Sequence, residues 1–275
     1  MERPSGYGWF HFMMVGITLA ILIAYIALFK KASEKTYRRI IFCTWVAMVI
    51  LELLKQLTLN FRYNEADPSL STFDYFWDGF PFQFCAVPLY AYPFIVFLPN
   101  KGKVSKFFWE SFVGLAVCFA PIGGFASLIY PEQLFTSLII INIQSLLYHG
   151  LMIVVGIYTA VWLGERCNLK FVSKSPISFL FFVSMAMFLN ILFVKGGILA
   201  EGTVFNMFYI SPYFPCTLPI LSEIYPLIPY IVFLLLYVLG FILLAFIYYE
   251  IVYWICYLVR KLESKKPAEI VVQEQ

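Results

Sequence analysis

Long runs of apolar residues alternate with short polar connections along almost the whole chain. Seven of these runs approach the ~20 residues that an α-helix needs to cross a bilayer. They cover residues 10–29, 38–61, 81–98, 107–129, 135–163, 176–199 and 227–258. The pattern predicts an all-α membrane protein, with seven transmembrane helices in residues 1–262 and a polar, disordered cytoplasmic tail in residues 263–275.

The third apolar run is the shortest and contains several prolines, among them Pro81 and Pro88. Pro81 suits the first turn of a helix, where the missing N–H is not needed. Pro88 cannot donate a hydrogen bond to the carbonyl of Phe84, so we expect the third helix to be broken one residue before Cys85. At membrane depth such irregular backbone is tolerated only where protein or a water-filled cavity covers it.

Basic residues are concentrated in alternate connections. Most of the 19 Lys and Arg residues follow the first, third, fifth and seventh apolar runs, whereas the connection between the second and third runs is acidic. Because the cytoplasmic loops of membrane proteins are enriched in Lys and Arg, we expect the N-terminus outside and the C-terminus inside.

The composition fits a membrane protein and narrows its chemistry. Of the 275 residues 62% are hydrophobic and 13% are charged, whereas soluble domains carry roughly 25% charged residues. The six Cys residues form no Cys-x-x-Cys pair, and only two His residues occur. We therefore expect neither a metal site nor a cofactor, and no nucleic-acid partner.

Polar residues inside the second apolar run share one helical face. Glu52, Lys55 and Gln56 follow i, i+3, i+4 spacing, so the carboxylate and the ammonium can form an ion pair. A charge within a membrane costs roughly 2.5–3.5 kcal/mol on insertion scales and usually faces the interior of the bundle. The pair is a candidate binding or orienting site, and equally a structural pair that holds helices together.

A second polar stripe lies in the fifth run, where Asn142, Ser145 and His149 follow the same spacing. A single histidine in a membrane helix more often makes an interhelical hydrogen bond than does chemistry. In the sixth run, Asn190 and Lys195 are five residues apart and match one face less well. We expect one interior cavity that opens toward the outer half and is lined by Glu52, Lys55, Cys85, His149, Asn190 and Lys195.

Helix geometry sets one difficulty for that cavity. At ~1.5 Å per residue, His149 lies one to two turns deeper in the membrane than Cys85. Direct contact between them therefore requires an irregular third helix. Gln83 and Cys85 would also point to opposite sides of a regular helix, so both face one pocket only if the backbone between them is extended.

Short motifs along the chain resemble those of a known family. Pro81-Phe82-Gln83-Phe84-Cys85 resembles the Leu-Pro-Leu-His-Leu-Cys signature of the YwaF family of bacterial membrane proteins. Further stretches match in the same order, namely Glu52 with Lys55, Pro121 to Gly124, Tyr130-Pro131, Tyr148 to Gly150, Asn190 with Lys195, and Leu221 to Tyr230.

That family is similar to animal transmembrane acyltransferases that remodel phospholipids. The resemblance implies Cys85 and His149 as catalytic residues, membrane lipids (phospholipid or lysophospholipid) as partners, and a bacterial plasma membrane as the location. Lys55, Gln83 or Lys195 would stabilise an oxyanion or hold a lipid phosphate, and Glu52, Asn142 or Asn190 would bind substrate or orient the histidine. Gln83 departs from the family, because the signature has histidine at that position.

Two alternatives to a lipid acyltransferase stay open. One is a transporter or solute-binding membrane protein that uses the intramembrane Glu, Lys and Asn residues, and the other is a catalytically silent scaffold. The acyl donor, the acyl acceptor and the oligomeric state do not follow from the sequence. A disulfide between Cys85 and Cys216 would exclude Cys85 as a nucleophile.

Overall fold

The computed structural model describes residues 3–62 and 72–264, and the described part is almost entirely helical. The helices are α1 (Trp9–Phe29), α2 (Glu34–Asn60), α3 (Val87–Phe97), α4 (Lys103–Cys118), α5 (Ala120–Ile129), α6 (Ile139–Leu163), α7 (Leu169–Val172), α8 (Ser175–Lys195), α9 (Leu221–Ile224) and α10 (Tyr230–Ser264). Two short strands, β1 (Phe61–Arg62) and β2 (Thr72–Phe73), pair antiparallel beyond the end of α2. The predicted tail lies outside the described residues from position 265 onward.

Local sequence explains several helix ends. Ser33 caps α2 by accepting a hydrogen bond from the Thr36 amide at 3.2 Å, and Asn168 caps α7 through the Phe171 amide at 3.1 Å. These side chains satisfy backbone donors that have no partner in the first turn of a helix. Gly164 ends α6 with a φ of +56°, a backbone conformation that side chains disfavour.

Within the described residues, six helices are long and apolar enough to cross a membrane. They cover Trp9–Phe29, Glu34–Asn60, Lys103–Ile129, Ile139–Arg166, Leu169–Lys195 and Tyr230–Ile255. The all-α membrane fold is thus as predicted. The helix at the third predicted span is too short to be one of these six candidate membrane-spanning helices. Its helix, α3, has 11 residues, which gives about 16 Å, half of the ~30 Å hydrocarbon core.

The shortness of α3 corrects the expected role of its prolines. Pro88 lies in the first turn of α3 and starts the helix, since its missing N–H has no partner to lose there. Residues before it adopt a bend around Pro81 and a 3₁₀ turn over Phe84–Ala86. The predicted irregularity near Cys85 is therefore present, but it precedes the helix instead of interrupting it.

The helices differ sharply in how far they are buried. In the most apolar 18-residue stretch of each span, 72% of the residues are buried for α4 with α5 and 78% for α6. The corresponding shares are 11% for α1 and 17% for α10. The first two form the centre of the bundle, and α1 and α10 present most of their apolar surface outward, as lipid-facing helices do.

Glycines allow α5 to approach α6 closely. A Cβ atom on Gly124 would lie 2.6 Å from the backbone oxygen of His149, and one on Gly156 would lie 2.2 Å from Pro121 Cγ. Because small residues let the backbones of membrane helices touch, this α5–α6 seam fixes the position of His149.

The two ends of the bundle have different character. The basic end is held together by contacts between the connections 30–33, 98–102 and 164–174. Arg38 donates to the carbonyls of Ile95, Val96 and Leu98 at 2.7–2.9 Å, and the Trp162 indole donates to the Ala32 carbonyl at 2.9 Å. The opposite end, here called the loop end, consists of residues 72–86 and 196–229. The orientation of these ends across a membrane stays a prediction.

Candidate functional site

Cys85 lies in the 3₁₀ turn that leads into α3, two residues before the helix begins. The adjacent Phe84 anchors this turn because its ring packs against Phe179 of α8, Phe208 of the loop end and Phe241 of α10. Cys85 is half-buried and free, and its thiol lies close to the hydroxyl of Ser127 in α5.

The helical rise per residue gives an estimate of the heights of Cys85 and His149 in the bundle. Measured from the basic end at ~1.5 Å per residue, Cys85 lies about 18 Å above the end of α3 and His149 about 21 Å above the end of α6. Both helix ends are tied to the same connection, through Asn100 to Glu34 and through Trp162 to Ala32. On this count the two residues differ in height by about 3 Å, less than one turn.

His149 is held in a defined orientation by its own helix. Its Nδ1 lies 2.7 Å from the carbonyl oxygen of Ser145, one turn earlier, and the residue is 8% exposed. Because a carbonyl only accepts, Nδ1 carries the proton and the neutral ring keeps Nε2 as an acceptor. The residue predicted to be a base thus has the tautomer that a base requires.

Helix α5 connects the two candidate catalytic residues. Gly124 of α5 lies against the backbone of His149, and Ser127, one turn further along, lies close to Cys85. Gly123 contributes as well, because a Cβ there would lie 3.3 Å from the Phe84 ring. The sequence reasoning noted these glycines without a role and missed Ser127, which stands in an apolar run without a pattern.

The predicted ion pair in α2 is present. Lys55 Nζ lies 2.7 Å from Glu52 Oε1, and the Gln56 amide donates to the same carboxylate at 2.7 Å. The ammonium acts electrostatically on both Cys85 and His149. Lys55 is therefore the charged group shared by the two candidate catalytic residues.

Three predicted site residues make other contacts than expected. The Gln83 amide accepts from Phe208 N at 2.9 Å and donates to Asn206 O at 3.0 Å, so it holds the loop end. The Asn190 amide likewise accepts from Met207 N at 2.7 Å and donates to Met207 O at 3.0 Å. These bonds hold the loop end and do not orient His149. Asn142 binds the backbone of Thr136 and closes the connection before α6.

Lys195 does not join the other residues. It is the last residue of α8 and is exposed, whereas Asn190 is fully buried. Five residues turn a helix by about 140° beyond one full turn, so the two side chains point in different directions. The expectation that Lys195 faces the interior cavity is wrong.

The segment around Tyr209 covers Cys85 from the loop end. Phe208 and Tyr209 both adopt left-handed backbone conformations, with φ of +58° and +57°. Such conformations are strained for bulky residues and persist only where the surroundings impose them. Gln83 and Asn190 do so here, together with Asn206, which accepts from Ser211 N at 2.8 Å and donates to Pro215 O at 3.0 Å.

A cavity of about 410 Å³ opens beside this segment. Its lining includes Asp78, Gln83, Asn206, Tyr209 and Thr217. Tyr209 interacts electrostatically with both Asp78 and Cys85, so it lies between the cavity and the thiol. Burial raises the pKa of the Tyr209 phenol, which keeps its hydroxyl protonated and able to donate at neutral pH.

Cys216 at the loop end is buried and free, as Cys85 is. The two cysteines therefore form no disulfide with each other. Cys85 is not excluded as a nucleophile on that ground. In the described part of the chain no three His, Cys, Asp or Glu side chains lie close enough together to hold a metal ion.

A family model, described as the TMEM164 family, matches residues 6–249. The chain belongs to the TMEM164 family. The match covers all the helices that carry the site, from α1 to most of α10. It places the chain in a membrane protein family, whereas the resemblance to the YwaF family and to acyltransferases goes beyond this match. Comparison with curated proteins and with solved structures gives no match.

Proposed function

We propose that this member of the TMEM164 family is a membrane-embedded lipid acyltransferase in which Cys85 is the nucleophile and His149 the base. The observation that carries the proposal is that a free thiol and a histidine whose Nε2 is an acceptor both lie beside α5. Lys55 acts on both groups. The resemblance of the Cys85 and His149 motifs to those of acyltransferases led us to this chemistry.

In the first half-reaction, His149 Nε2 takes the proton of the Cys85 thiol, and the thiolate attacks the ester carbonyl of a phospholipid. The C–O ester bond breaks, the acyl group stays on sulfur as a thioester, and the departing lysophospholipid oxygen takes the proton from His149. In the second half-reaction, His149 removes the proton of an acceptor hydroxyl, which attacks the thioester and releases the thiolate. Protons and electrons balance without a cofactor.

Two features stabilise negative charge on the Cys85 sulfur. The N-terminus of α3 begins two residues after Cys85, and its backbone amides carry partial positive charge. Lys55 supplies a full positive charge, although Glu52 neutralises part of it. Both effects are stronger where water is excluded than at an exposed surface.

The departure at Gln83 is compatible with activity. An amide offers one donor and one acceptor to Asn206 and Phe208, and a neutral imidazole offers the same pair. We infer that the histidine of the YwaF signature and Gln83 share a positioning role at the loop end. The substitution then preserves the structure around Cys85 and removes no catalytic group.

The geometry supports the alternatives less well. A transporter site built from Glu52, Lys55, Asn190 and Lys195 loses two members, since Asn190 is bound to Met207 and Lys195 is exposed. A silent scaffold does not explain why Lys55 acts electrostatically on both a free cysteine and a histidine with an acceptor nitrogen. The donor and acceptor lipids and the location in a bacterial plasma membrane stay predictions.

The test is to incubate the purified protein with a diacyl phospholipid that carries a labelled acyl chain, and to look for a hydroxylamine-sensitive acyl adduct. Cys85→Ser should abolish the thioester, and His149→Ala should slow its formation by about 10²–10⁴-fold. Cys118→Ser is the matched control, because Cys118 is a buried free cysteine outside the site. Full acyl transfer by Cys85→Ala would refute the proposal.

A further inference from the structure

Tyr148, the residue before His149, has a buried hydroxyl without a hydrogen-bond partner in the part of the chain that the structure describes. The residue is only 4% exposed. A buried polar group without a partner costs about 1–3 kcal/mol, and such groups are rare enough in proteins to require an explanation. A ligand that accepts a hydrogen bond at this point is one explanation.

The surroundings of the hydroxyl are those of the candidate catalytic site. Glu52, Tyr92, Cys85 and Tyr90 are the electrostatic neighbours of Tyr148. Its ring lies edge-to-face against the His149 ring, with centroids 5.9 Å apart. The hydroxyl therefore lies in the layer of the bundle that contains the thiol, the imidazole and the ion pair of α2.

The donors of Lys55, Gln83 and His149 are already committed. The Lys55 ammonium is paired with Glu52, and the Gln83 amide is bound to the loop end on both sides. His149 Nδ1 donates to its own helix. Tyr148 is thus a neutral donor with its hydrogen bond still to be made, beside a nucleophile whose reaction creates a negatively charged oxygen.

We propose that Tyr148 is a further catalytic residue, whose hydroxyl donates a hydrogen bond to the carbonyl oxygen of the lipid ester while Cys85 attacks the carbonyl carbon. This inference rests on the proposed acyltransferase function and names the oxyanion donor of that reaction. As the S–C bond forms, the electron pair of the C=O double bond moves onto oxygen, and the Tyr148 hydroxyl stabilises that charge without giving up its proton. The pair returns when the ester C–O bond breaks.

The variant Tyr148→Phe removes the hydroxyl and keeps the ring. Tyr37→Phe is the matched control, because Tyr37 is fully buried at the basic end and its hydroxyl lies 3.2 Å from Thr159 Oγ1. Single-turnover thioester formation should fall about 10²–10³-fold in Tyr148→Phe. We expect it to stay within about threefold of wild type in Tyr37→Phe, because the hydroxyl lost there bonds to Thr159 and is remote from the oxyanion.

Alkylation of Cys85 by iodoacetamide separates catalysis from positioning, because that reaction forms no oxyanion. It should proceed at the wild-type rate in Tyr148→Phe. Equal losses of alkylation and of thioester formation would overturn the inference, since Tyr148 would then only hold Cys85 in place. Thioester formation within threefold of wild type would overturn it too.

The two proposals fail in distinguishable ways. If Cys85→Ser abolishes the thioester and Tyr148→Phe leaves it intact, only the role of Tyr148 is refuted. If Cys85→Ala retains full acyl transfer, the acyltransferase mechanism through Cys85 is refuted, and the inference about Tyr148 is refuted with it.

Discussion

Gly124→Ala perturbs the α5–α6 seam at the point where it holds His149. The new Cβ would lie 2.6 Å from the backbone oxygen of His149 and 2.7 Å from Ile153 Cγ1, whereas ordinary contact begins at 3.4 Å. The seam must therefore open by about 0.8 Å, the difference between 3.4 and 2.6 Å. A backbone oxygen within a helix cannot move aside as a flexible side chain can, so the helices themselves must separate.

The expected cost follows from overpacking of a close-packed interior. Inserting a methyl group into such a site costs about 1–3 kcal/mol, and the better helix propensity of alanine returns up to about 1 kcal/mol. Gly240→Ala in α10 is the matched control, because nothing lies within 4 Å of its added Cβ. That variant keeps the propensity gain without the clash.

Two measurements check this reasoning. The melting temperature in detergent micelles should be lower for Gly124→Ala than for wild type, and unchanged or higher for Gly240→Ala. Thioester formation should fall as well, because a displacement near 1 Å of groups that must meet can cost about 10²-fold in rate. A Gly124→Ala protein that melts at or above the Gly240→Ala protein would refute the assigned contact.

Three further substitutions test the loop end, the ion pair and the orientation. Gln83→His should keep its contacts and the activity, whereas Gln83→Glu, which lacks the donor, should expose the loop end to faster proteolysis. Lys55→Met should destabilise the protein by leaving Glu52 without its cation, and adding Glu52→Gln should restore part of the melting temperature. In a cysteine-free background and intact cells, an impermeant thiol reagent should label Glu201→Cys and not Lys101→Cys, and the reverse result would invert the predicted orientation.

Hydropathy and helical spacing were sufficient for the membrane class and for local pairs. The Glu52–Lys55 pair follows from i, i+3 spacing and is present. The third span is not confirmed, because hydropathy counts apolar residues and does not register where a helix starts. A proline at position 88 is equally compatible with a break inside a longer helix and with the first turn of a new helix.

Contacts between distant parts of the chain could not be predicted. Gln83 and Asn190 were expected to face a substrate, because polar residues in membrane spans usually do. Their partners are backbone groups of residues 206–208, and nothing in the sequence marks a backbone group as a partner. Ser127 was missed for a similar reason, since a serine in an apolar helix most often bonds to its own backbone.

The short helix α3 also bears on how the protein is made. A helix of 11 residues provides little more than half of the ~20 apolar residues from which a translocon recognises a span. The preceding helix supplies the missing contacts, since Trp45 of α2 donates to Leu89 O and Arg38 donates to the last carbonyls of α3. We therefore expect α2 and α3 to leave the translocon together as a hairpin. Substitution of Arg38 should then lower the yield of inserted protein at the insertion step, before the helix bundle has folded.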